Sequence, residues 1–354
     1  MDPTRLIPQA LPIPVEWGWF YLFQVLTFIL HILVMNVMLG ASIIALVHHL
    51  RGKRETEPLT TTISVKLPFT IAFAVNFGVA PLLFMQVLYG QFLYTSSVLM
   101  AVYWLAVVGL VIAAYGSAYI YDFRYPSLGG LKTVFIGVTT ACLLATAFIF
   151  TNNMTLMLNP ETWTGYFDNP GGTILNLSDP TVLPRFLHIV ASSTALGGLA
   201  LALIYSCRTS DPQATHWIRH GMNWYAFSTV VQMALGLWFL TALPERISHL
   251  LLGGSLPHTL VFAAGATLGI FSISNALRYN VRTTAIISVT TISLMVYLRD
   301  MVRDAYLSPY FQVSDRVVTG EYLPFVLFVL TLAAGLVIVA WMLKTASTDT
   351  EVRS

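Results

Sequence analysis

Nine separate stretches of mostly apolar residues, each about 20 or more long, run through this 354-residue chain, and they leave it few possible folds. They lie near 19–47, 67–89, 97–121, 132–152, 184–206, 222–243, 256–277, 283–307 and 323–343. A bilayer core about 30 Å thick takes roughly 20 helical residues to cross, so each stretch reads as a transmembrane helix. The first and eighth are long enough to tilt. Charged residues make up 10% of the chain, against about 25% in a soluble domain, too few to cover a surface facing water. The expected fold is therefore all-α, a polytopic membrane helix bundle of about nine spans in a lipid bilayer. Residues 1–18 read as an interfacial N-terminal arm, 19–344 as the bundle and 345–354 as a cytoplasmic tail. A net charge of +2 with no basic run gives no footing for nucleic acid.

The connections alternate in charge. Those near 48–66, 122–132, 207–221 and 278–282, with the C-terminal tail, hold twelve of the eighteen Lys and Arg. The other side has Arg5, Arg185, Arg246, Arg299, Arg303 and Arg316. The positive-inside rule then puts the N-terminus outside and the C-terminus inside. Trp17, Trp19, Trp163 and Tyr166 suit the outer interface. Within the large outer loop 153–183 and just before it, TNNMTLMLNPETW reads as a short surface helix. No short-period repeat is visible. Cys142 and Cys207 form neither a CxxC pair nor a CxxCH haem-attachment site, so any c-type haem belongs to a partner.

Chemistry in such a bundle comes from polar or ligating residues inside it. No Asp or Glu lies deep in a span, which weakens a proton-pump reading; Asp300 and Asp304 sit near the outer end of the eighth. His31 lies twelve residues past Trp19, roughly 18 Å along the helix and near mid-membrane. His188, on the fifth span, and His258, starting the seventh, lie at similar depth near the outer side, as two axial ligands of one haem would. Each could instead satisfy a backbone carbonyl. His249 lies in the outer 244–257 loop, and His48, His49, His216 and His220 read as solvated in basic inner loops. Met295 matches the depth of His31, and Met85 lies near the outer end of the second span; packing is the usual role of such methionines. Arg299 and Arg303 share one helix face, and Arg185 precedes His188 by one turn. Guanidinium groups there suit haem propionates, or else lipid headgroups or Asp300 and Asp304.

In VLTFILHILVMNVMLG, FAVNFGVAPLLFMQVLYG, NNMTLMLNP and DPTVLPRFLHIVASS, taken in that order, the chain resembles the large haem-bearing subunit of cytochrome bd quinol oxidases. The likeness is concentrated in residues 19–206. It implies that His31 is a ligand at the high-spin haem pair and that His188 ligates the low-spin haem b. The family's second low-spin ligand is a Met at the start of the helix after the quinol loop. His258 holds that place here, so a bis-His haem b between His188 and His258 is expected. Met295 is the candidate sixth ligand to the His31 haem.

The departures bear on activity. The oxidases carry a Glu on the third helix, where SSVLMAVYWLAVVGL has no acid. Their Gly-Arg-x-Pro-Trp motif with its ligating Glu is replaced by LRDMVRDAYLSPY. Their long quinol loop shrinks to PERISHLLLGGSLPH. The expectation is a haem b subunit (one to three haems) of a respiratory complex in a bacterial or archaeal cytoplasmic membrane. It would move electrons between the quinol pool and an outside partner such as a multihaem cytochrome c, alongside other membrane subunits. The alternatives are a divergent oxygen-reducing bd-type oxidase and a haem-free scaffold or transporter.

Overall fold

The structure, a computed structural model, describes residues 3–52, 56–208 and 210–352; Lys53, Arg54 and Arg353, counted above with the basic side, lie outside the described residues. Ten α-helices follow in chain order: α1 (Trp17–Arg51), α2 (Glu57–Leu99), α3 (Ala101–Phe123), α4 (Leu131–Leu158), α5 (Val182–Ser206), α6 (Ala214–Ala242), a short α7 (Glu245–His249), α8 (Leu256–Leu277), α9 (Val281–Leu307) and α10 (Tyr322–Val352). Among the described residues, nine are long and apolar enough to span a membrane, as expected. Their outward residues are large and apolar, such as Phe69, Leu105, Ile112 and Leu237, which is the surface lipid requires.

Several helices run beyond the predicted spans. The connection placed at 48–66 is mostly helix, since α1 continues to Arg51 and α2 begins at Glu57. The TNNMTLMLNPETW segment is not a surface helix. Its first eight residues are the last turns of α4, and Asn152, Asn153, Thr155 and Leu156 are buried. Asn153 Nδ2 donates to Ser97 Oγ at 3.2 Å and Ser96 Oγ donates to Asn153 Oδ1 at 3.3 Å. Polarity marks a helix contact here, because lipid-facing positions reject it. A 3₁₀ helix, Pro160–Phe167, follows and carries the buried Trp163.

The bundle is built from two similar halves. In the first, α1 packs on α2 and α3 on α4; in the second, α5 packs on α6 and α8 on α9. The halves meet where α1 crosses α5. A Cβ at Gly40 would fall 1.8 Å from the Ser193 carbonyl oxygen, and one at Gly197 would fall 2.5 Å from the Gly40 carbonyl carbon. Only glycine lets the backbones come this close. Beside the crossing, Ser193 Oγ donates to Asn36 Oδ1 at 2.6 Å. Gly40→Ala is expected to destabilise the bundle by about 1–3 kcal/mol or more, because two backbones must separate. Thermal unfolding in detergent checks this, with Gly335→Ala on α10, where the added methyl meets nothing within 4 Å, expected to be neutral.

We call the end holding Trp17 the upper end. There α2 kinks at Tyr89, which has non-helical φ/ψ. The carbonyls of Val87 and Leu88 accept from Arg316 Nη2 at 2.6 and 2.8 Å. Arg316 Nη1 also donates to Leu11 O, and Ile13 pairs with Val318, so the N-terminal arm and the α9–α10 loop are tied to α2. Tyr322 Oη donates to Glu16 Oε1 at 2.6 Å, which holds the Glu16 carboxyl below the usual carboxylate range. A depressed folded-state pKa stabilises at neutral pH and is lost as pH falls through it. The protection of the Thr319 and Glu321 amides, which donate to Ile13 O and Pro14 O, measured relative to the intrinsic exchange rate at each pH, should therefore fall in acid, below about pH 4. Glu16→Gln should remove that step.

Candidate haem pockets and arginine cluster

His31 and His188 are held by the same device. His31 Nδ1, on α1, lies 2.9 Å from the Ala74 carbonyl oxygen of α2. His188 Nδ1, on α5, lies 3.0 Å from the Gln232 carbonyl oxygen of α6. A carbonyl only accepts, so Nδ1 carries the proton in both rings and Nε2 keeps its lone pair. The Gln232 amide nitrogen lies 3.3 Å from His188 Nε2 and donates to it, in keeping with that tautomer. Each ring rests on the glycine four residues past its carbonyl. A Cβ at Gly78 would lie 2.9 Å from the His31 ring, and one at Gly236 would lie 3.2 Å from the His188 ring.

The two devices occupy equivalent places in the two halves. Asn36 and Gly40 follow His31 by five and nine residues, and Ser193 and Gly197 follow His188 by the same intervals. The histidines thus flank the α1–α5 crossing as a pseudo-symmetric pair. Both anchored rings have the tautomer that a metal-ligating histidine adopts.

Between them, toward the upper end, lies a cluster of charge. Asp300 of α9 is fully buried and lies 2.8 Å from Arg303 Nη2 and 3.8 Å from Arg299 Nη1. Arg303 stacks over Tyr89, with its guanidinium carbon 4.4 Å from the ring centre, and reaches Gln24 Oε1 at 3.5 Å and Met85 Sδ at 3.6 Å. Tyr89 Oη donates to Asp304 Oδ1. Arg299 lies over Phe28, three residues before His31, at 4.4 Å. Arg185, three residues before His188, lies over Phe239 at 4.9 Å. Arg299 and Arg303 thus face Asp300, with Arg185 close enough to Arg299 to repel it, and buried Arg185 Nε, Arg299 Nη1 and Arg303 Nε, like both Asp300 carboxylate oxygens, have no well-aligned hydrogen-bond partner in the protein. Buried cationic donors without acceptors are costly, and an anion held among them relieves that cost.

The other sequence candidates fall as follows. His258 lies in the first turn of α8, with Nδ1 2.7 Å from Ser255 Oγ. Met295 packs its methyl and sulfur on Gly265 of α8, within a cluster formed by Leu243, Ile247, Leu251 and Leu298. Of the basic-end histidines, His216 is exposed as the sequence suggests, although on α6, whereas His48, His49 and His220 are not solvated loop residues. His48, on α1, is 4% exposed, and its Nε2 lies 3.0 Å from Nε2 of His220 on α6, where Trp224 Nε1 donates at 3.1 Å. His49 Nε2 lies 2.7 Å from Tyr121 Oη. Sequence reasoning passed over Tyr89, Gln24 and Phe28, which touch the arginines, and Gln232, which holds His188. The presence of glycine four residues after Ala74 and after Gln232 is the one signal that could have found the seats.

No family model and no curated protein matches this sequence. Among solved structures, the chain is similar to bd oxidase from Geobacillus thermodenitrificans, with a TM-score of 0.70 over 96% of this chain and 96% of that one, at 12% identity. The chain has the bd-oxidase fold. The likeness extends over both halves, whereas the sequence resemblance is concentrated in residues 19–206. At this identity, the bd-oxidase fold carries architecture, and the role of each side chain rests on its own geometry.

Proposed function

We propose that the chain is a haem b subunit of a respiratory membrane complex, moving electrons between the quinol pool and a partner on the outer side. The observation that carries this reading is the pair of anchored imidazoles, His31 and His188, beside three buried arginines with unpartnered donors. Bound haem b supplies reversible one-electron carriage. His31 would hold the iron through Nε2, and His188 would do so once the Gln232 amide releases its Nε2, while the Ala74 and Gln232 carbonyls fix each ring's tautomer and tilt. His258 would be the second residue to hold that haem, together with His188. Arg185, Arg299 and Arg303 would hold its propionates, which would supply acceptors to their unpartnered nitrogens. Met295, whose methyl packs at Gly265, remains the candidate to complete the ligand set of the His31 haem. The upper end, with few Lys and Arg, faces outside, where a cytochrome c partner would take the electron.

Oxygen reduction is the competing outcome. It needs an open haem site and an internal acid route for protons, and α3 holds no carboxylate along its length before Asp122 near the basic end. The complex, purified with its partner subunits and supplied with a short-chain quinol, is expected to reduce its b haems and an added cytochrome c while consuming no oxygen. Oxygen uptake that requires His31 would contradict this reading and establish an oxidase.

A further inference from the structure

Two open clefts at the upper end share Pro8 of the N-terminal arm as a wall. One, of about 360 Å³, is walled by Val98 and Leu99 at the end of α2 and by the rings of Tyr94, Trp163 and Phe167. The other, of about 300 Å³, is bordered by Gln91, Thr4 and Tyr310, with Phe311 at its side. An apolar, aromatic chamber thus adjoins one that carries an amide and two hydroxyls. Gln91 is 8% exposed, and its Oε1 receives Arg316 Nη2 at 3.4 Å. With the oxygen so engaged, its amide N–H₂ is the end that donates.

Among the described residues, no Lys, Arg, Asp or Glu lines either chamber. Arg316, behind Gln91, is already committed to the Leu11, Val87 and Leu88 carbonyls, so a charged phospholipid headgroup would find no cation lining either cleft. A neutral ring bearing two hydroxyls on an isoprenoid tail meets no such penalty, and its two ends match the two chambers. Volumes of this size hold small ligands. A file of rings leads from the chambers to the arginine cluster. Trp163 and Phe92 are 6.1 Å apart, Phe92 and Phe311 5.9 Å, and Phe311 and Tyr89 6.4 Å. Tyr89 lies beneath Arg303.

We propose that these paired chambers are the quinol site, with the head beside Gln91 and the tail along Val98 and Trp163. It rests on the haem reading for its electron acceptor. In the reaction, both quinol O–H bonds break, two protons leave to water at the upper end, and two electrons pass one at a time to ferric haem, leaving the quinone. The site replaces the function of a long quinol loop, which this chain lacks.

Photolabelling with an azidoquinone, in membranes holding the whole complex, tests the site without relying on haem. Peptides spanning 4–11 and 91–99 should carry the label, and decylubiquinol but not phosphatidylglycerol should chase it. Thr95→Phe, which fills the apolar chamber, and Gln91→Leu, which removes the amide, should each lower labelling about tenfold. Haem reduction by decylubiquinol should slow in parallel, with dithionite-reducible haem unchanged. Labelling confined to other peptides, or chased equally by the phospholipid, would overturn the site. Haem content measured on the same sample keeps the two readings apart: labelled chambers in a protein without haem would uphold the site and sink the haem reading.

Discussion

His188→Ala is expected to lose the low-spin b haem while the bundle stays folded. The ring gives Nδ1–H to the Gln232 carbonyl, so its removal costs the fold about one hydrogen bond, on the order of 1 kcal/mol. The cost to haem is far larger, because an axial ligand vanishes. The difference spectrum should lose the b-type band that depends on this ligand, while far-UV circular dichroism stays unchanged. Gly236→Val provides an independent test through the ring's seat. A Cβ there would lie 3.2 Å from the imidazole, and the branched side chain would tilt the ring off its carbonyl. Disturbing a ligand's supporting shell typically weakens metal binding by about 10–100-fold. If His188→Ala retained its full haem spectrum, the axial role would be wrong, and a full spectrum in Gly236→Val would show that the seat does not matter.

Asp300→Asn should be the most destabilising single change in the arginine cluster. Asp300 is wholly buried between Arg299 and Arg303. Neutralising it leaves like charges facing one another in a medium that screens them poorly. Removing one partner of a buried ion pair costs about 3–5 kcal/mol, whereas exchanging both for apolar groups is often neutral. The single variant should therefore melt well below wild type and release haem more readily. Asp300→Asn combined with Arg303→Met should recover most of the thermal stability but not haem retention, since the propionate donor is gone. Recovery of both would mean that Arg303 serves the fold alone.

The spans were legible because lipid imposes a plain rule: about 20 apolar residues to a crossing. His31 and His188 were legible for the same reason, as polar groups stranded at depth. What surrounds them was not. Ala74 and Gln232 act through backbone carbonyls, which no side-chain reading reveals, and their register against the histidines is set by how α2 and α6 pack. The misreadings share one cause. Asn152, Asn153 and His48 looked solvated because they are polar, yet they are buried where helices meet. In a membrane bundle, polar groups turn inward, the reverse of the soluble rule. The two-fold plan did leave a trace. HILVMNVMLG and HIVASSTALG share His, Ile, Leu and Gly at the same spacing, a repeat too long-range to stand out before the α1–α5 crossing gave it meaning.

A reduced-minus-oxidised optical spectrum of the purified wild-type complex, with pyridine haemochrome quantitation against this chain, tests the central claim most directly. The account predicts b-type haem bound to this chain, with no d-type band and no shift on adding carbon monoxide to a low-spin bis-His centre. A chain that purifies folded and without haem would contradict it.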